Sequence, residues 1–190
     1  MKSRKRVLGR VFRVCAGVAV LAGLIGAAAT TALVGNFAST TVDIGMVVSD
    51  IEKAADFYRN ALGLSETTGF DVPADMGGGA GLSDNKSFHV RVFVLTGPDD
   101  DRAPTTRLKI MQFPDAPGKK PDNTFIHSTC GVRYLTINVK NITAAIERAQ
   151  KAGHPVLAKG PCEIPWSKGV FIAIVRDPDG NMIEFVGPKK

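Results

Sequence analysis

The chain has 190 residues, of which 44% are hydrophobic, so it is long enough for one domain or two small ones with a packed core. Its formal net charge of +6 comes from residues 1–14, which hold six basic residues and no acidic one. The remainder is formally neutral and has no basic patch, which argues against a protein that binds nucleic acid.

The first element in the chain is this basic start together with an uncharged apolar run over residues 14–34. The order is typical of a secretory signal, and Ala27-Ala28-Ala29 offers a cleavage site. The run is also about as long as the ~20 residues that span a bilayer, so an uncleaved anchor is the alternative. We therefore expect residues 1–38 to be a signal peptide or a membrane anchor. The rest of the chain would be exported, either free in the periplasm or another extracytoplasmic space, or anchored in the cytoplasmic membrane by residues 14–34.

A strand, a capped helix and a glycine stop are predicted next. Residues 43–48 alternate and are apolar enough for a half-buried strand. Ser49 and Glu52 predict a capping box at the start of the helix. Apolar residues then recur at helical spacing, and Gly63 ends the helix.

Residues 132–153 repeat this plan, with Asn141 as the helix cap and Gly153 as the stop. Three strand-like segments follow each helix, so each half is predicted to be βαβββ. These segments are residues 64–72, 89–95 and 107–113 in the first half, and residues 155–164, 170–176 and 182–186 in the second. Between the halves, residues 115–130 are rich in Pro, Lys and Asp and predict a linker.

The last two predicted strands are joined by Asp177-Pro178-Asp179-Gly180, a sequence typical of a tight turn. Glu184 follows the turn and lies between two apolar neighbours. Side chains alternate along a strand, so Glu184 faces away from those neighbours. If Ile183 and Phe185 face a core, Glu184 faces a cleft.

These features together resemble the vicinal oxygen chelate superfamily, which includes glyoxalase I, extradiol dioxygenases, fosfomycin-resistance proteins and bleomycin-binding proteins. The most specific parts are the opening DIGMVVSDIEKAADFYRNALGL and the closing VRDPDGNMIEF. The resemblance covers about residues 41–188. It implies an α+β fold in which two tandem βαβββ modules form a curved mixed sheet around a cleft, with the helices outside. We predict a first module over residues 41–114, the linker over residues 115–130, and a second module over residues 131–188.

Metal-dependent members of that superfamily hold the metal with four positions, on the first and last strand of each module. The resemblance places Asp43, Lys109, Tyr134 and Glu184 at these positions, and Met111 is an alternative to Lys109 on the same strand face. The superfamily usually has His or Gln, Glu, His and Glu there, so only Glu184 fits. A charged lysine cannot ligate a metal. We therefore expect the Lys109 ammonium to replace the cation and to neutralise Asp43 and Glu184.

Strand alternation adds further candidates on the cleft side. In residues 89–95 the three valines suit a helix-facing core, so the side chains between them would line the cleft. Asn138 shares the strand face of Tyr134. The expected ligand-binding residues are thus Asp43, His89, Arg91, Phe93 and Asn138.

Three hypotheses of function follow. The first is a glyoxalase-like enzyme of lyase, isomerase or dioxygenase type that acts on a small oxygenated or carbonyl compound, with Glu184, Lys109 and Tyr134 as catalytic residues. A divalent metal (zinc, nickel, manganese or iron) would be held by Asp43 and Glu184, with His89 as an additional ligand. Without a metal, Lys109 is the electrophile and Glu184 the general base.

The second hypothesis is a metal-free protein that resembles the bleomycin-resistance branch and binds a small molecule without catalysis. The third is an envelope protein whose cleft has no chemical role. The expected partner in the first two is a small molecule. Three points stay open: whether a metal binds, whether two chains form a homodimer, and whether Cys130 and Cys162 pair after export.

Overall fold

The computed structural model describes residues 38–39, 41–95 and 105–190. The leader predicted over residues 1–38 lies outside these ranges, apart from its last residue. Within them, no helix is long and apolar enough to cross a membrane. Cys130 and Cys162 are both exposed free thiols.

The first half of the domain forms a four-stranded sheet. Its strands are β1 (Ile44–Val47), β2 (Ser65–Val72), β3 (Phe88–Val94) and β4 (Arg107–Gln112), in the spatial order β1-β4-β3-β2. β1 pairs with β4 in parallel, and the other pairs are antiparallel. Helix α1 (Ile51–Asp56) follows β1 and continues into a π-helical turn over Phe57–Ala61, and the short helix α2 (Ala74–Gly79) follows β2.

The second half repeats this arrangement. Its strands are β5 (Tyr134–Asn138), β6 (Cys162–Glu163), β7 (Val170–Arg176) and β8 (Met182–Pro188), in the order β5-β8-β7-β6, and helix α3 (Ile142–Lys151) follows β5. Residues 113–133, between the halves, contain neither helix nor strand. The predicted α+β fold of two βαβββ modules is confirmed.

The start of α1 differs from the predicted capping box. Asp50, not Ser49, is the N-cap, and its carboxylate accepts hydrogen bonds from the backbone N–H groups of Glu52 and Lys53. Ser49 instead donates from its backbone N–H and its hydroxyl to Asp179. Both residue types are good caps, so the long-range contact to Asp179 decides which one is used. Asn141 caps α3 as predicted, accepting from the N–H of Ala144 at 3.1 Å.

One apolar core lies between the helices and the sheets of both modules. Residues of α1, the π-helical turn, α3 and one side of each sheet belong to the same buried cluster. Arg148 of α3 joins the modules further, because its guanidinium donates to the carbonyl oxygens of Ala61 and Leu62 at 3.2 and 2.8 Å. We call the side of each sheet opposite its helix the cleft side.

The turn between β7 and β8 also connects the modules. Asp177 is buried, and its carboxylate accepts from two backbone N–H groups of the turn and from the side chain of Asn181. The Tyr58 hydroxyl of the first module donates to the same carboxylate at 2.9 Å. Burial raises the pKa of the Tyr58 phenol, so it stays a neutral donor. Gly180 has a φ of 85°, a left-handed conformation that favours glycine at this turn position.

Candidate functional site

A cavity lies where β1 and β5, the edge strands of the two sheets, approach each other without pairing. Its volume is about 670 Å³, which suits a small organic molecule. Most of the lining is apolar and comes from β1, β5 and the core, including Leu62, Phe93 and Leu108. The polar groups of the lining are those of Asp43, Tyr58, Thr106, Tyr134 and Thr136.

The first module contributes Asp43, which precedes β1 and carries two cationic neighbours. The Lys109 ammonium lies 2.8 Å from one carboxylate oxygen, and the Arg107 guanidinium lies 3.4 Å from the other. The hydrogen bond from Lys109 holds the pKa of Asp43 below its ordinary value. Asp43 is therefore a carboxylate at neutral pH, and the three side chains together carry one net positive charge.

The register of the first sheet explains this grouping. Gly45 of β1 lies opposite Lys109 of β4, so Lys109 emerges on the cleft side next to a residue without a side chain. Arg107 lies two residues earlier on β4 and shares the same side. Sequence reasoning missed Arg107, although its spacing of two from Lys109 is a usable signal. Met111, the alternative fourth-strand position, brings its methyl group within 3.4 Å of where a Cβ of Gly45 would be.

The second module contributes three polar side chains of β5 on one strand face: Tyr134, Thr136 and Asn138 are all exposed. Thr136 lies opposite Glu184 of β8 in the parallel register. Its hydroxyl donates to a Glu184 carboxylate oxygen at 2.8 Å. Glu184 thus adjoins the cavity through Thr136. Across residues 41–95 and 105–190, no ion pair involves Glu184.

The expected charge pairing of Lys109 is found with Asp43 and not with Glu184. The Lys109 ammonium was expected to neutralise Asp43 and Glu184, but it pairs with Asp43 alone among the described residues. The reason is the sheet topology. Asp43 directly precedes β1, which pairs with β4, the strand of Lys109, whereas Glu184 belongs to the other sheet. As a result, the Asp43 carboxylate is neutralised by a cation, whereas the Glu184 carboxylate is paired with the Thr136 hydroxyl.

The strand faces predicted for β3 are wrong. Arg91 and Phe93 lie on the helix side: Arg91 binds Glu52 of α1 at 2.8 Å, and the Phe93 ring packs 6.0 Å from that of Tyr58. Val90 and Val92 lie on the cleft side in a second apolar cluster. Both sides of β3 are buried over most of its length, so the positions of the valines do not indicate which side faces the helix. Phe93 nevertheless lines the cavity from the core, with none of its surface exposed to solvent.

His89 also lies away from the cavity. Its Nδ1 is 2.7 Å from Asp71 of β2, and both side chains are largely exposed. It lines a separate, open groove together with Glu66 and Arg91, whose guanidinium makes two bonds to the Glu66 carboxylate at 2.6 and 2.9 Å. His89 and Arg91 are therefore placed apart from Asp43, Tyr134 and Glu184.

The four superfamily metal positions do not fit a divalent metal. In the part of the chain that the structure describes, no group of three or more His, Cys, Asp or Glu side chains could hold a metal ion. At the second position Lys109 places an ammonium 2.8 Å from the Asp43 carboxylate, and its charge repels a metal cation. The third position is a phenol, which is a poor ligand while protonated. Asp43 and Glu184 alone do not make a coordination site.

A sequence profile of the Glyoxalase/Bleomycin resistance protein/Dioxygenase superfamily matches residues 40–185. Lactoylglutathione lyases from two serogroups of Neisseria meningitidis are each 27% identical over 143 residues, which is 75% of this chain and 86% of theirs.

Solved structures give the same fold. A glyoxalase family protein from Bacillus cereus superposes with a TM-score of 0.64 at 16% identity, covering 82% of this chain and 99% of that one. The trypanothione-dependent glyoxalase I of Leishmania major superposes with a TM-score of 0.54 at 20% identity, covering 79% of this chain and 87% of that one. Together with the profile, they confirm the resemblance drawn from the sequence.

Proposed function

The chain belongs to the Glyoxalase/Bleomycin resistance protein/Dioxygenase superfamily, and from this premise we propose that it binds a small organic molecule in the cavity between β1 and β5 without a divalent metal. The observation that carries the proposal is the 2.8 Å contact between Lys109 and Asp43. At a pair of positions where metal-dependent relatives supply two ligands, this chain has a salt bridge. The cation there is part of the protein.

The shape and lining of the cavity support ligand binding. A site for a small molecule is typically a largely apolar concavity with a few polar groups that orient the ligand. Here the walls are mainly aliphatic, and the Asp43 carboxylate and the Tyr134 hydroxyl supply polarity from opposite modules. Tyr134 is 48% exposed, so its hydroxyl is available to a ligand.

A second candidate function is proton transfer next to a carbonyl group, in a lyase or isomerase reaction. Glu184 would remove the proton from carbon, and the Tyr134 hydroxyl would donate a hydrogen bond to the oxygen that becomes negative. The observation that favours it is that Glu184 lacks a cationic partner among the described residues and accepts a hydrogen bond from Thr136, which shares the strand face of Tyr134. The similarity to lactoylglutathione lyase supports the same class. The donor set of Asp43, Lys109, Tyr134 and Glu184 does not fit a metal and so gives no support to a dioxygenase reaction.

Two measurements on the purified full chain test the binding proposal. The first is metal analysis after zinc, nickel, manganese and iron have each been supplied; we expect no stoichiometric binding. The second is a thermal-shift screen with small carbonyl, carboxylate and amine compounds; we expect hits that Tyr134→Phe weakens and the exposed control Phe125→Leu does not. Stoichiometric metal in the wild-type protein, or hits that ignore Tyr134, would contradict the proposal.

A double variant tests whether the metal positions have been identified correctly. Lys109→Glu combined with Tyr134→His restores a ligand-type side chain at both positions, beside Asp43 and Glu184. We expect this variant to bind a divalent metal more tightly than the wild-type chain, as measured by isothermal titration.

Turnover of any hit compound, lost in Glu184→Gln, would establish the second candidate function in place of simple binding.

We further propose that residues 1–38 direct export and that the domain acts outside the cytoplasm, free or attached to the membrane. The charge and hydropathy pattern of the leader supports this proposal. Cell fractionation and N-terminal sequencing of the recovered protein test it, because a cleaved signal removes the apolar run and an anchor retains it. A homodimer is also proposed, in which a second chain would cover the Trp166 side chain, which is 87% exposed. Light scattering after size-exclusion chromatography checks it.

A further inference from the structure

The cavity between β1 and β5 offers a bound molecule no unpaired charge. Among the described residues that line it, Asp43 alone is acidic or basic. Its carboxylate already contacts the Lys109 ammonium at 2.8 Å and the Arg107 guanidinium at 3.4 Å, and neither cation belongs to the lining. A cationic ligand would have to compete with both for Asp43, and an anionic ligand would be repelled by the carboxylate.

The polar groups that remain in the lining are neutral hydroxyls. Tyr58 and Thr136 donate their hydroxyl protons to carboxylates of the domain, at 2.9 and 2.8 Å. The hydroxyls of Thr106 and Tyr134 make no hydrogen bond within the part of the chain that the structure describes, so each has a proton to donate to a ligand. A carbonyl oxygen accepts such a bond without bringing a charge into the cavity.

The rest of the lining is apolar from the core to the rim. Leu62 and Leu108 are buried in the shared core, whereas Val42, Leu95 and Val132 are exposed. A ligand that reaches from the core to the rim therefore removes apolar surface from water along its whole length, which favours an apolar body.

From this lining we infer that the cavity takes an uncharged, largely apolar molecule with a carbonyl oxygen that accepts a hydrogen bond from Tyr134. The inference rests on the proposed ligand-binding function and adds the chemical class of the ligand. A charged group in the cavity would lose water and find no free counter-ion, and this loss exceeds the gain from one neutral hydrogen bond. Glutathione conjugates carry carboxylates and an ammonium group, so they are poor ligands for this cavity, although lactoylglutathione lyases are among the similar proteins.

Four probes of closely matched shape test the inference on the full chain by ligand-observed NMR titration. The neutral probes are 4-phenylbutan-2-one and 3-phenylpropanamide, and the charged probes are 3-phenylpropanoate and 3-phenylpropanamidinium. We expect both neutral probes to bind at least about tenfold more tightly than either ion, with the ketone tightest. The amide separates the effect of charge from that of water solubility, because it is polar but uncharged. S-benzylglutathione should bind no more tightly than the ions.

Variants assign the preference to this cavity. Tyr134→Phe should weaken the ketone by about two- to tenfold through loss of the hydrogen bond. Tyr134→Lys supplies an unpaired cation and should shift the preference towards 3-phenylpropanoate. Leu95→Trp fills the rim and should weaken both neutral probes, whereas the matched control Leu82→Trp, at an exposed leucine outside this lining, should not. Far-UV circular dichroism of each variant checks that the fold persists.

The outcomes separate this inference from the function on which it rests. If an ion or S-benzylglutathione binds as tightly as the ketone, the inference of a neutral ligand is overturned while the proposed binding function stands. If the neutral preference survives Leu95→Trp and both Tyr134 variants, its assignment to this cavity is overturned. If no probe binds, the inference is again overturned, and the metal analysis and thermal-shift screen then decide the binding function.

Discussion

Lys109 of the first module and Glu184 of the second occupy corresponding places on the last strand of their sheets. Each lies between two buried apolar residues: Leu108 and Ile110 in one module, Ile183 and Phe185 in the other. The flanking residues pack in the same core, whereas the central residues carry opposite charges and have different partners. The comparison teaches that the repeat preserves the packing of its helix side and leaves the cleft side to differ between modules.

The largest expected effects test the similarity of the helix sides. Ile110→Ala and Phe185→Ala each remove a fully buried side chain from the shared core. We expect each to lower the free energy of unfolding by about 3–5 kcal/mol, measured by urea denaturation. Val47→Ala, at an exposed position of β1, is the control and should cost far less. A large effect in one module and a small one in the other would break the comparison.

The next effect concerns the turn that joins the modules. Asp177→Ala leaves the Tyr58 hydroxyl and two turn N–H groups without their acceptor in a buried place. We expect a loss of about 2–3 kcal/mol in the free energy of unfolding. Asp115→Ala, in the exposed segment after β4, serves as the control. Equal effects of the two substitutions would show that the contact between Tyr58 and Asp177 contributes little.

Arg91 tests the corrected face of β3. Arg91→Met removes the bonds that join α1, β2 and β3 through Glu52 and Glu66. We expect a loss of about 1–2 kcal/mol of stability, since the Arg91 side chain is only 14% exposed, and unchanged hits in the thermal-shift screen. Lys140→Met is a suitable control for loss of one positive charge. Weaker ligand binding with unchanged stability would instead indicate that the Arg91 side chain faces the cleft.

The smallest effect concerns the Asp43 carboxylate and its response to pH. The pKa of Asp43 is lowered in the folded protein from its ordinary value of 3.8, chiefly by the bond from Lys109. Its contribution to stability is therefore present above pH 3.8 and is lost as the pH falls through the lower, folded-state pKa. We expect Asp43→Asn to be less stable than the wild type at neutral pH and to converge with it in strong acid.

Denaturant titrations across this pH range measure the difference. Glu184→Gln provides the comparison, because the amide oxygen still accepts the bond from Thr136 and no salt bridge is lost. A constant gap between wild type and Asp43→Asn down to the lowest pH would mean that the Lys109 contact does not hold in solution.

Local patterns predicted most of the fold. The helix periods, the glycine stops and the Asp-Pro-Asp-Gly turn depend on neighbours within a few residues, so the sequence carries them directly. Gly63 and Gly153 indeed adopt left-handed φ values of 77° and 87°. The cap of α1 was misassigned for the opposite reason. Ser49 is engaged by Asp179, 130 residues away, and no local pattern reports such a contact.

The site was predicted in part. Alternation placed Tyr134, Asn138 and Glu184 on the cleft side correctly, because β5 and β8 each have one side in the core. It failed for β3, where burial on both sides removes the difference between apolar and polar faces. The superfamily positions supplied Asp43 and Lys109 but could not supply their partner, since Arg107 matches no motif.

The sequence by itself determined the two βαβββ modules, their helix-facing residues and the position of Glu184 opposite those residues, because these follow from periods of two and of about 3.6 residues. Only the tertiary structure decided which carboxylate is neutralised. The parallel pairing of β1 with β4 puts Lys109 beside Asp43, and the pairing of β5 with β8 gives Glu184 a hydroxyl instead. Charge pairing depends on strand neighbours, and strand neighbours are set by topology rather than by local sequence.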